Sequence, residues 1–197
     1  MKLFLCLLFS FLSGSIPTAY LVTRKVAGLD IRKHGSGNVG ATNAFRVVGK
    51  KWGSLVFAAD FLKGAIPVWV TLAVFPGTPL LPFSVGIAAI LGHIFTPFLG
   101  FKGGKGVATG SGVLFGAYPA LFLCVLAAWG LLFLITRTVS VSSLFALLTL
   151  VISSFWLVQD RRATLLFFIL FLLITWSHRS NIFRLLKGEE LKFSKKK

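Results

Sequence analysis

The sequence predicts an all-α integral membrane protein with seven transmembrane helices, including one short helix after a glycine-rich loop. Three observations carry this reading. Only 13% of the 197 residues are charged, about half the roughly 25% with which a soluble domain covers its surface. The mean hydropathy is +0.87. The apolar residues are gathered into runs, separated by short polar segments, and the runs approach the ~20 residues that a helix needs to cross hydrocarbon. No linker or fixed-period repeat divides the chain, so residues 1–197 read as a single membrane domain.

The first span is residues 3–23. Lys2 and the run behind it resemble a signal peptide. The apolar residues resume after Pro17, however, and Arg24-Lys25 closes the segment, so a retained helix is expected. Residues 52–75 form the second span and hold Asp60 and Lys63, spaced i, i+3. Ionisable groups at that depth face a partner or a polar cavity, and an internal ion pair is the expectation. Residues 81–99 give the third span. Its His93, ahead of Pro97, reads as structural. Residues 106–135 are too long for one untilted span, since thirty residues rise roughly 45 Å. Pro119, following Gly112, Gly116 and Tyr118, divides them into 106–118 and 120–135. The last spans are 139–158 and the shorter 163–177.

Charge orients these spans. The formal net charge of +16 suggests nucleic acid in a soluble protein. In a chain this apolar it reads as cytoplasmic orientation and contact with anionic lipid headgroups, with no nucleic-acid partner. With seven spans, 17 of the 21 Lys and Arg residues fall on one face, among them the tail residues Arg179 to Lys197. Lys2, Arg161 and Arg162 stay on the other face, and Lys63 lies within a span. Six spans would carry the tail outside. The N-terminus is therefore expected outside and the C-terminus in the cytoplasm. Segments 24–51, 100–109, 136–143 and 178–190 then share the cytoplasmic face.

Two of these segments are built to hold anions. In His34-Gly-Ser-Gly-Asn-Val-Gly-Ala-Thr-Asn-Ala-Phe-Arg46, Gly35, Gly37 and Gly40 let backbone N–H groups converge. Ser36, Asn38, Thr42 and Asn43 add uncharged hydrogen-bonding groups, and Arg46 adds a planar fork suited to phosphate. A helix starting near Thr42 would favour negative charge at its N-terminus. The glycines satisfy G-x-G-x-x-G, but no βαβ unit surrounds them, which excludes a dinucleotide fold. In Gly100-Phe-Lys-Gly-Gly-Lys-Gly-Val-Ala-Thr109, Gly103, Gly104 and Gly106 bracket Lys105 ahead of the short helix. Lys105 is followed by Gly rather than Ser or Thr, so this is not a Walker A loop.

The third segment is His178-Arg-Ser-Asn-Ile-Phe-Arg-Leu-Leu-Lys-Gly-Glu-Glu190. On a helix, His178, Asn181 and Arg184 would share a face. Ser140, Ser142 and Ser143 follow Arg137 and either line the site or cap their helix. Cys6 and Cys124 lie in apolar runs without metal-ligand spacing, and neither a disulfide nor a metal site is expected. There is no acid pair and no Ser/His/Asp set. No cofactor is implied. The residues alone describe a membrane-embedded protein for a phosphate ligand, either an enzyme or a transporter.

The same segments carry a resemblance. Gly14-Ser-Ile-Pro17 with Gly35-Ser-Gly-Asn-Val-Gly-Ala-Thr-Asn43 resembles the start of the bacterial acyl-phosphate:glycerol-3-phosphate acyltransferases. Asp60-Phe-Leu-Lys-Gly64, Gly92-His93, Phe101 to Thr109, His178 to Ile182, and Leu185 to Gly188 with Glu190 follow in the family's order. Phe183 stands where a basic residue is common, and Glu189 where Thr is common.

The resemblance implies acyl transfer from acyl phosphate to the 1-hydroxyl of glycerol 3-phosphate. The products are 1-acyl-glycerol 3-phosphate (lysophosphatidic acid) and inorganic phosphate, in the committing acylation of bacterial phospholipid synthesis. It implies a bacterial inner-membrane enzyme whose active site faces the cytoplasm, with no obligate protein partner. Ser36, Arg46, Lys105, His178 and Asn181 are expected around glycerol 3-phosphate. The backbone of Gly103–Gly106, with Thr42 and Asn43, is expected on the acyl-phosphate head. Gly35, Gly37, Asn38, Gly40, Thr109 and Ser142 complete the binding set, and Asp60, Lys63, His93 and Glu190 support it. The rival is a transporter for a phosphorylated solute. Transporters tend to show inverted repeats and midplane sites, whereas this chain has no repeated half.

Overall fold

The computed structural model describes residues 1–78 and 80–193. Lys195, Lys196 and Lys197, counted above in the basic tail, lie outside the described residues. Every regular element among the described residues is helical. The contacts fall into two compact units, Met1–Ala117 and the chain from Tyr118 onward.

The first unit contains α1 (Lys2–Ser15), α2 (Thr18–Ala27), α3 (Ala41–Val47), α4 (Gly49–Val74), α5 (Leu81–Ile94) and α6 (Val107–Ala117). The expected first span is two helices rather than one. Pro17 has no N–H to give the Ser13 carbonyl, and Ile16 before it turns to ψ 115°. Pro67 creates a second defect inside α4 by leaving the Lys63 carbonyl without its helical donor. The Ser13 carbonyl takes the Ile16 N–H instead, at 3.3 Å, and side chains tie the two breaks together. The Ser13 hydroxyl donates to the Lys63 carbonyl at 3.3 Å, and Lys63 Nζ donates to the Ile16 carbonyl at 2.9 Å. Thr96 Oγ1 donates to the Ser15 carbonyl at 2.6 Å. Hydrocarbon supplies no such partners, so the side chains must.

Small residues set the helix spacing. A Cβ on Gly64 would strike the Thr109 carbonyl, and one on Gly112 would strike the Phe61 carbonyl, so α4 and α6 meet backbone to backbone. Gly14 packs on Ala89 and Gly92 on Phe11 and Ser15, which brings α1 equally close to α5. Lipid drives no hydrophobic collapse between helices, and close packing of this kind replaces it.

The second unit contains α7 (Pro119–Thr136), α8 (Val139–Leu157), α9 (Arg161–Ser177) and α10 (Arg179–Leu186). The long 106–135 segment is broken where Pro119 predicts: α6 ends at Ala117 and α7 starts at Pro119. Arg137 closes α7 in the left-handed region (φ 54°), its N–H on the Phe133 carbonyl, and its own carbonyl accepts the Phe193 N–H at 2.7 Å. Asp160 caps α9 by accepting from the Arg162 N–H at 2.8 Å. The chain then bends 60° from α9 into α10.

Among the described residues, five stretches are long and apolar enough to cross a membrane: Lys2–Ala27, Gly49–Val74, Leu81–Leu99, Pro119–Thr136 and Val139–Leu157. The bent α9–α10 pair makes a sixth when counted as one span, and α6 is shorter.

Candidate functional site

The first glycine segment is shaped from inside by Asn43. Its Oδ1 accepts the Ser36 N–H at 2.8 Å. Its Nδ2 faces the carbonyls of His34, Asn38 and Ile31 at 2.9, 3.1 and 3.3 Å. The fully buried amide is therefore spent on loop backbone, which separates Asn43 from the ligand role expected of it beside Thr42. Gly35 and Gly37 take φ of 61° and 73°, a region that L side chains avoid. A Cβ at Gly35 would also strike the Asn43 amide. Gly40 precedes α3, which begins one residue before Thr42 and presents Thr42 and Arg46 four residues apart. Ser36, Asn38, Thr42 and Arg46 are all partly exposed. Upstream, Arg32 engages Asp30 in an ion pair at 2.7 Å. The Arg32 hydrogen bond lowers the Asp30 pKa to about 2.

The second glycine segment is stitched to the end of α5. Gly103 and Gly104 donate their N–H groups to the carbonyls of Ile94 and His93, at 2.9 and 3.1 Å, and Phe101 donates to Thr96 at 2.9 Å. The N–H groups of Gly103 and Gly104 are thus committed within the protein. These glycines serve close approach instead: a Cβ on Gly104 would strike both the His93 ring and the Val39 carbonyl. That contact brings the two glycine segments together. Gly106 turns through φ 83° into α6. Its first-turn N–H groups lack intrahelical partners, as at any helix start. Thr109 lies deeper than expected of a binding residue, fully buried with its hydroxyl unpartnered and its carbonyl on Gly64.

Below these loops, Asp60 and Lys63 form a buried ion pair at 2.8 Å, and His93 Nδ1 lies 3.8 Å from Asp60 Oδ1. The last distance exceeds a hydrogen bond. His93 thus touches the loop glycine on one side and sits near the ion pair on the other.

In the second unit, Glu190 is a hub. It accepts from the Ser140 hydroxyl at 2.8 Å, from the Asn181 amide, and from Arg184 Nε at 2.7 Å. Burial raises the Glu190 pKa, but the hydrogen bonds from Asn181, Ser140 and Arg184 outweigh it and the net shift is downward. A lowered carboxyl pKa stabilises the fold above the ordinary value of 4.5, and that stability is lost as pH falls through the depressed value. The thermal midpoint in detergent should therefore stay level down to about pH 5 and fall below it. Glu190→Gln should lower the midpoint at neutral pH and flatten the acid limb. An unchanged acid limb would place the titration on another group.

His178 is buried at the junction of α9 and α10. Its Nδ1 lies 2.8 Å from the Ile174 carbonyl. A carbonyl only accepts, so this contact assigns the hydrogen to Nδ1 and makes Nε2 the basic nitrogen. Ser142 is fully buried and its hydroxyl donates to the Thr138 carbonyl at 3.0 Å; Ser143 accepts from Trp129 Nε1 at 3.2 Å. None of the three α8 serines caps its helix. Sequence reading passed over Ser13 and Thr96, whose signal is a small hydroxyl residue near a proline break.

Fold and site together define a helical, membrane-type protein in which two basic glycine-rich segments pack on each other. The Glycerol-3-phosphate acyltransferase family profile matches residues 4–188. Curated relatives called glycerol-3-phosphate acyltransferase include those of Endomicrobium trichonymphae, 43% identical over 98% of both chains, and Bacillus subtilis (strain 168), 40% identical over 98% of both. Two solved structures of PlsY (YgiH), an integral membrane glycerol 3-phosphate acyltransferase, are 39% identical and cover 98% of this chain and 96% of theirs. The glycerol 3-phosphate form superposes with a TM-score of 0.92 and the lysophosphatidic acid form with 0.89. The chain belongs to the glycerol-3-phosphate acyltransferase family.

Proposed function

We propose that this protein transfers a fatty acyl group from acyl phosphate to the 1-hydroxyl of glycerol 3-phosphate, releasing inorganic phosphate. The observation that carries this reading is the packing of one basic glycine segment on the other, Gly104 against the Val39 carbonyl. A reaction with a phosphate on each substrate needs two adjoining anion sites. The hydroxyl oxygen attacks the acyl carbon, the ester bond forms, and the bond from acyl carbon to phosphate oxygen breaks. Phosphate is a good leaving group, so the protein chiefly aligns the reactants and stabilises developing charge.

We assign recognition of glycerol 3-phosphate to Ser36, Arg46, Lys105, His178 and Asn181. The acyl-phosphate head is assigned to Thr42, the Lys105 ammonium and the first turn of α6, whose unpaired N–H groups and dipole favour an anion. Asn43, Asp60, Lys63, His93 and Glu190 hold these groups in place. The assignment includes seven spans, N-terminus outside, in a bacterial inner membrane with the site facing the cytoplasm.

Purified protein should release phosphate from palmitoyl phosphate only when glycerol 3-phosphate is present, and should form lysophosphatidic acid. Palmitoyl-CoA should not replace palmitoyl phosphate. Equal rates from the thioester would overturn the donor assignment. The hydroxyl proton goes either to His178 Nε2 or to a substrate phosphate oxygen. His178→Gln separates these: a kcat loss of about a hundredfold or more supports the base. Retained kcat with a raised KM assigns His178 to binding.

A further inference from the structure

We propose that the outward face of α10 binds anionic phospholipid of the surrounding bilayer, and that occupancy there raises turnover. The helix has two faces. Inward, Asn181 and Arg184 are tied to Glu190. Outward, Arg179, Ser180, Phe183, Leu186 and Lys187 are exposed, Phe183 by 58% and Leu186 by 83%. Arg179, Phe183, Leu186 and Lys187 recur at helical spacing and form one stripe. The Arg179 guanidinium lies 4.2 Å from the Trp176 ring centre and donates to the Trp176 carbonyl at 3.3 Å. The Lys187 ammonium lies 4.4 Å from the Phe183 ring centre. Neither cation is in an ion pair with a carboxylate among the described residues. The nearest acids in sequence are Glu189, exposed on the turn beyond the helix, and Glu190, which faces inward.

Cations, aromatic rings and exposed leucine on one helix face are the composition of an interfacial helix. The chain bends 60° from apolar α9 into α10, so an α9 that runs along the membrane normal would carry α10 toward the membrane plane. Charge complementarity selects anionic over zwitterionic headgroups, at up to roughly fivefold in affinity per basic residue. An eight-residue helix has little stability of its own. Lipid on its outer face therefore orders the inner face that carries Asn181. This step rests on the role assigned to Asn181 above.

The test uses the full chain, an Arg179→Gln/Lys187→Gln double variant and an Arg179→Lys control. Native mass spectrometry in detergent would follow titration with phosphatidylglycerol and with phosphatidylcholine. The wild type should prefer phosphatidylglycerol, and the double variant should lose roughly tenfold or more of that preference while the control keeps it. In nanodiscs, adding phosphatidylglycerol to phosphatidylcholine should raise wild-type kcat severalfold and leave the double variant unchanged. The gain is read in kcat because an anionic surface repels both substrates and raises KM. Equal phosphatidylglycerol adducts on wild type and double variant would overturn the site. Adducts lost with the kcat gain intact would overturn the coupling. The adduct experiment needs no turnover, so it stands even where the acyl-transfer reading fails.

Discussion

Lys105→Ala is expected to lower phosphate release from palmitoyl phosphate and glycerol 3-phosphate by about a hundredfold or more, with the fold intact. Lys105 stands between Gly104, packed against His93 and Val39, and Gly106, which turns into α6. Its ammonium is thus carried on a backbone fixed on both sides. Removing one preorganised group that meets developing charge costs on the order of a hundred- to a thousandfold in kcat. Lys105 itself is only partly buried, so the thermal midpoint should move little. Lys105→Arg keeps the charge but changes its shape and reach, and should recover part of the rate. A Lys105→Ala rate within threefold of wild type would remove this residue from the reaction.

The second large effect is structural. Gly112→Val should destabilise the first unit by ~1–3 kcal/mol or more, the usual cost of overpacking. The new side chain would strike the Phe61 carbonyl and crowd Ala65, and neither backbone can yield without moving α4 from α6. Gly112→Ala should show a smaller loss in the same direction. The thermal midpoint in detergent and the monodisperse yield on size exclusion report the change. Activity should fall with stability, because α6 also carries the second glycine segment. A wild-type midpoint in Gly112→Val would contradict the backbone contact between the helices.

Much of this was legible in the sequence because it depends on local chemistry. Pro119 ends a helix by lacking an N–H, and the break lies there. Asp60 and Lys63 are three residues apart on one helix, so their pairing is a local matter. Other features depend on partners distant in the chain. Pro17 is visible, but the Lys63 ammonium that donates to the Ile16 carbonyl just before it is 47 residues away from Ile16. Asn43 has the chemistry of a ligand, and only the folded loop reveals that both ends of its amide are used. Gly103 and Gly104 suggest anion donors by type, but their N–H groups meet the end of α5 instead. Hydropathy reads span length and is blind to the 60° bend into α10, because bending changes no composition.

The tie between the breaks at Pro17 and Pro67 bears on how the chain enters the bilayer during synthesis. The Ile16 carbonyl has the Thr18 N–H of its own segment at 3.0 Å and takes a second donor from Lys63, whose ammonium also pairs with Asp60 on its own helix. Each segment is thus more fully satisfied beside the other than alone. Release of the first segment into lipid should therefore be faster once the second has been made, so nascent chains cut short before Lys63 should stay longer at the insertion machinery than chains that include it.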